Sequence, residues 1–175
     1  MLSEASCRSA REDGPQSLTE RFERLPGAAL IDELRIERGG SGDYQQLASF
    51  HYKSGRPGAV TAVYRMVHRA PTVVGRFVGR TDETTIVGVL IRSLPSLGCQ
   101  LRDRATSDRY RGMGVLAAAA MVNREFRTIS RVVIRPQWRG ISLAVRLVRH
   151  ALDDPETAYT EALAAMGRVH PFFER

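Results

Sequence analysis

The chain reads as an α/β sandwich with at least one parallel crossover, and three observations carry that reading. Residues 84–93 are apolar and β-branched (Thr85, Ile86, Val87, Val89, Leu90, Ile91) and stop before Pro95, the composition of a strong strand. Val60, Ala62, Tyr64 and Met66 recur at every second position, the period of a half-buried strand. Residues 129–145 pass from a β-branched run (Val132, Val133, Ile134) through Pro136 and an Arg139-Gly140 turn into an amphipathic helix. Two strands followed by a strand–helix–strand–helix order call for a sheet with helices packed on it.

The elements follow in order. Residues 1–26 are polar, hold Gly14, Pro15 and Pro26, and read as a flexible leader before a domain spanning 27–175. Ala28–Ile36 partly alternates and predicts a first strand. Gly39–Gly42 breaks it, and Asp43 is placed to cap a helix running to about Tyr52, with Leu47 and Phe50 inward. Gly55–Gly58 is a turn, and 73–78 is an extended piece or loop edge. Residues 100–113 are charged and irregular. Val115–Phe126 is alanine-rich and predicts a helix packed on the sheet.

A strand at about Thr128–Arg135 leads into a helix at about Ser142–Leu152. That helix aligns Ala144, Leu147, Val148 and Ala151 on one face and turns Arg146, Arg149 and His150 outward. Asp153-Asp154-Pro155 ends it, Thr157–Leu163 is a short strand, and 166–175 is a last turn or helix.

Composition narrows the class. With 43% hydrophobic and 26% charged residues, 175 residues suffice for one globular domain with its own core. No apolar run reaches membrane-spanning length, and Met1–Glu20 lacks the apolar centre of a signal peptide. Cys7 and Cys99 sit in unrelated contexts, so a reduced cytoplasmic protein is expected. The net charge of +7 is carried by scattered arginines, with Lys53 the single lysine. That pattern reflects base composition more than a nucleic-acid surface, which ranks lower.

The stretch from 129 to 145 carries the chemistry. A strand, a tight turn and a helix N-terminus present unpaired backbone N–H groups and the positive end of the helix dipole to an anion. Gly140 lets the backbone approach the ligand, and Arg139 adds a fixed positive charge.

Gln137-Trp138-Arg139-Gly140-Ile141-Ser142 resembles the Gln/Arg-x-x-Gly-x-Gly/Ala signature of the GCN5-related N-acetyltransferase (GNAT) superfamily. Pro171-Phe172-Phe173-Glu174-Arg175 resembles that family's final helix motif, and the leading helix ending in Phe50-His51-Tyr52, with the Ile129–Arg135 strand, is similar to a bacterial and archaeal subgroup sometimes found joined to ABC-type ATPases. The resemblance implies a three-layer α/β/α sandwich around a mixed, mostly antiparallel sheet. It implies acetyl-CoA as cosubstrate, with its pyrophosphate held by Gln137, Trp138, Arg139, Gly140, Ile141, Ser142, Leu143 and Ala144. Strand amides near Val132, Val133 and Ile134 would polarise the thioester for direct attack by an unidentified amine.

The chain departs from the family at three points. Ser142 stands where a Gly or Ala is usual, its hydroxyl placed to cap the helix or bond a phosphate. Phe172 and Phe173 occupy the position of the family's tyrosine acid. Family members continue past the equivalent of Arg175, so the C-terminal strands are expected from a longer chain, a second protomer or a partner domain, and an exposed sheet edge is expected if none of these completes the sheet.

The catalytic base is sought among Glu161, inside the last strand, and Glu125, just before the central one. An ion-paired glutamate is the plainer role for each, and Glu161 ranks first because a carboxylate inside a strand demands a partner. His51 and His170 are proton-shuttle candidates, with a surface or helix-terminal role the plainer one for each; Tyr159 is a substitute acid, with strand packing its plainer role; and no spacing predicts a metal site. Gly112-x-Gly114-x-x-Ala117 lacks the preceding strand of a dinucleotide fingerprint. An N-acetyltransferase is therefore the leading expectation, with a non-catalytic CoA-binding scaffold and a basic nucleic-acid module as rivals.

Overall fold

The structure, a computed structural model, describes residues 33–52, 55, 57–69 and 84–162. The leader, the 73–78 segment and the terminal 166–175 segment, including His170, Phe172 and Phe173, lie outside the described residues. Five strands form one sheet in the order β1 (Leu34–Arg38), β2 (Val60–Arg69), β3 (Thr84–Ser93), β4 (Phe126–Ile134) and β5 (Tyr159–Ala162). The first four pair antiparallel, and β5 pairs parallel to β4. The helices are α1 (Ser41–Leu47), α2 (Gln100–Ala105), α3 (Val115–Glu125) and α4 (Leu143–Asp153).

Alternation along the central strands builds two cores. Ala62, Tyr64, Met66, Leu90, Ile129 and Ile134 face α4, where they meet Leu143, Leu147, Val148 and Ala151. The intervening Val63, Val67, Val89, Ile91 and Val133 face Tyr44 and Leu47 of α1. Apart from bulges at Val87 and Ser130, where the register slips and the parity switches, successive residues point to opposite faces of the pleated sheet, so α1 and α4 cover its two sides. α4 forms the crossover between β4 and β5, the parallel unit expected from sequence.

Several boundaries differ from expectation for physical reasons. α1 opens at Gly40, not Asp43, which sits three residues into the cap and accepts the Gly40 N–H at 2.7 Å. The helix tightens into a 3-10 turn over Ala48–Phe50, which rotates Phe50 outward instead of inward, while Leu47 stays fully buried. Phe126 belongs to β4 rather than to the preceding helix, because it seats between Tyr110 and Tyr159. Val115 and Leu116 of α3 are exposed, so only its C-terminal end, through Val122, packs as expected. Residues 100–105, read as irregular, are helical. On α4, Ala144 is half-buried while Leu143 takes the inward place; Arg146 reaches the Leu34 carbonyl at 3.2 Å and His150 meets the Tyr64 ring, so neither simply faces outward. Among the described residues no helix is long and apolar enough to cross a membrane.

Candidate anion and ligand cavity

The junction between β4 and α4 is a sequence of local backbone decisions. Pro136 holds Arg135 extended and opens a 3-10 turn over Pro136–Trp138. Arg135 is anchored to the neighbouring strand, its N–H on the Val87 carbonyl at 2.8 Å and its Nε on Ile86 at 3.0 Å. The chain then reverses through Gly140 at φ +88° and Ser142 at φ +59° before α4 begins. A Cβ on Gly140 would meet nothing within 4 Å, so glycine is demanded by its dihedral and not by crowding.

The left-handed Ser142 overturns one expectation: its hydroxyl does not cap the helix. Its carbonyl accepts the Arg146 N–H at 3.1 Å, the first bond of α4. The N–H groups of Leu143, Ala144 and Val145 have no intrahelical acceptor and no side-chain cap. They form the positive end of an eleven-residue helix.

These groups border a cavity of ≈ 570 Å³. One wall is the C-terminal end of β4 (Val132, Val133, Ile134) and a second is Trp138, Arg139, Gly140 and Ser142–Val145. The third wall is Phe50-His51-Tyr52, running out of the last residue of the 3-10 turn. The volume is that of a small-molecule site, and it opens at the carboxyl end of a parallel strand, where α/β sheets bind ligands. Of the eleven candidate cofactor positions, all but Gln137 and Ile141 line this cavity. Those two sit exposed on the outer side of the turn.

Arg139 has a second task beside the charge it brings. Its Nε donates to the Ile134 carbonyl at 3.0 Å and its Nη2 to the Phe50 carbonyl at 3.2 Å. One guanidinium thus ties the strand end to the opposite wall. Trp138 packs against the α4-side core with His68 on its ring, centroids 4.9 Å apart.

The two candidate carboxylates lie elsewhere. Glu161 is opposite Thr128 near the start of β4 and is held by Arg102 of α2, Nε at 2.9 Å and Nη2 at 2.7 Å. Thr128 donates a further bond at 2.7 Å. Glu125, the last residue of α3, accepts from Tyr110 Oη at 2.6 Å and Arg109 at 2.9 Å. Neither lines the cavity, and each is committed to structure. Tyr159 stacks on Phe126 at 4.8 Å and is likewise not a lining residue.

Burial and the bond to Glu125 push the Tyr110 phenol up to about 12. A raised folded-state value means the stabilising neutral form is fully present below the unfolded tyrosine value, about 10. That contribution is lost as pH climbs through the folded value. Alkaline unfolding titrations should therefore show stability falling across that interval in the native chain, and a flatter profile in Tyr110→Phe.

Sequence reasoning named His51 as a proton-shuttle candidate but did not place Phe50–Tyr52 against Arg139, since nothing local links residue 50 to residue 139. It also missed Arg102 and Arg92. The Arg92 side chain is wholly buried beneath the end of α4, its Nη1 on the Asp154 carbonyl at 2.8 Å and on Tyr64 Oη at 3.1 Å. A buried arginine leaves no hydrophobic period to read. Among the described residues no group of three or more His, Cys, Asp or Glu converges to hold a metal. Comparison with known proteins finds no family model that matches the chain and no similar curated sequence.

Proposed function

We propose that the chain is a GNAT-like, acetyl-CoA-dependent N-acetyltransferase. The observation that carries this reading is the cavity in which an uncapped helix N-terminus, Arg139 and the C-terminal end of β4 converge. The residues fit such a cosubstrate. Unpaired N–H groups at Leu143–Val145 suit a pyrophosphate, and the apolar strand wall suits a thin acyl-bearing arm. Bound acetyl-CoA would supply an activated acyl group. The chain's own part is to orient it and to receive the proton of the attacking amine.

The test is calorimetric titration with acetyl-CoA. Native protein should bind, and Gly140→Val should weaken binding at least about tenfold, because a β-branched residue resists φ above zero. Arg139→Ala should weaken it comparably by removing both a charge and the tie between two walls. Absence of heat with the native chain would overturn the proposal. The placement of Glu161 and Glu125 outside the cavity favours a second reading, a CoA-binding scaffold without catalysis. Thiol release in the presence of amines separates the two.

A further inference from the structure

We propose that His51 is the general base of this cavity, an inference that rests on the acetyltransferase reading above. Transfer to an amine needs a group that takes a proton near neutral pH. Among the described residues the cavity wall offers three charged or titratable side chains, Arg139, Tyr52 and His51, and no carboxylate. A guanidinium does not give up its proton and a phenol is protonated at neutral pH. The imidazole alone of the three is suited to the task.

Its position is built rather than incidental. The His51 N–H donates to the Ala48 carbonyl at 3.1 Å, closing the 3-10 turn. The preceding carbonyl, on Phe50, is gripped by Arg139, which also holds the end of β4. The ring stacks on Tyr52 with centroids 4.7 Å apart and planes 30° from parallel. The backbone tie and the ring contact restrict both the path and the plane of the imidazole. Among the described residues that line the cavity, Tyr52 on its own segment and Arg139 across the turn are the other titratable or charged groups; His68 packs on the Trp138 ring.

The step balances as follows. The acceptor nitrogen bonds to the acyl carbon while one of its protons passes to an imidazole nitrogen of His51. The carbon–sulfur bond breaks with its electron pair on sulfur. Solvent protonates the thiolate, and the imidazolium returns its proton to solvent.

The experiment compares the native chain with His51→Gln and His51→Ala. Acetyl-CoA binding is read by calorimetry, and free thiol release is read with tyramine, spermidine and a short peptide as probe acceptors across mildly acidic to mildly alkaline pH. Both variants should bind acetyl-CoA within about threefold of native, with kcat/KM lowered about 10²-fold and the acidic limb of the pH profile gone. Native-like turnover with an unchanged acidic limb in both variants would overturn the role of His51. Binding by the native chain with no thiol release from any probe would overturn it too, leaving cofactor binding intact. No acetyl-CoA binding by the native chain would instead overturn the parent reading.

Discussion

Glu161→Leu should lower stability by about 3–5 kcal/mol, the cost of stranding a buried charge, and depress the melting temperature by about 10 °C or more. The Arg102 side chain is 1% exposed, and its other bonds go to the Ser96 and Leu97 carbonyls, which carry no compensating charge. Removing the carboxylate leaves the cation desolvated and Thr128 without its acceptor. Replacing both partners, as Arg102→Met with Glu161→Leu, should recover most of the loss, since the pair's desolvation cost disappears with it. Thermal melts of the single and double variants measure this. Acetyl-CoA affinity should stay within about threefold in Glu161→Leu, because residue 161 is outside the cavity. An unchanged melting temperature with abolished turnover would return Glu161 to the list of catalytic groups.

Leu147→Ala should cost about 2–5 kcal/mol, the range for truncating a buried leucine, and, on the proposed reading, weaken acetyl-CoA binding as well. Leu147 is fully buried on the sheet-facing side of α4. The space below it has no slack. A Cβ added to Gly88 of β3 would lie 3.1 Å from Leu147 Cδ1 and 2.6 Å from Ile134 Cδ1. Glycine at 88 therefore sets how closely α4 approaches the sheet. Truncating Leu147 opens a void beside Ile134, itself a wall of the candidate cavity, so the loss of packing reaches that cavity directly. Denaturant titration and calorimetry on the same variant check both effects. Full stability would mean that α4 settles into the void; native affinity at reduced stability would mean that the β4 wall holds without it.

Much of this was legible in the chain because it rests on short-range chemistry. The alternation at 60–66, the β-branched run at 84–93 and the strand–turn–helix at 129–145 each declare themselves within a few residues. The turn from β4 into α4 was readable residue by residue, since proline, glycine and a helix start suffice to define it. What escaped depended on partners far along the chain. Arg102 and Glu161 are 59 residues apart, and Arg139 meets Phe50 across 89. α2 buries an arginine where periodicity looks for a leucine, so it read as irregular. Phe50 was turned outward by a 3-10 ending that no propensity distinguishes from one more α-helical turn.

Arg92 gives α4 a property that neither end shows alone. At the C-terminus the negative pole of the helix is met inside the protein by a buried guanidinium on the Asp154 carbonyl. Asp154 adds its own carboxylate there, held below the usual range by the hydrogen bond from Tyr64, with Arg38 and Arg92 contributing. At the N-terminus, among the described residues, no side chain caps the helix and its first turn holds no acid. The helix therefore works as a one-sided electrode: its charge separation is grounded at one end by Arg92 and stands open at the other, toward the cavity.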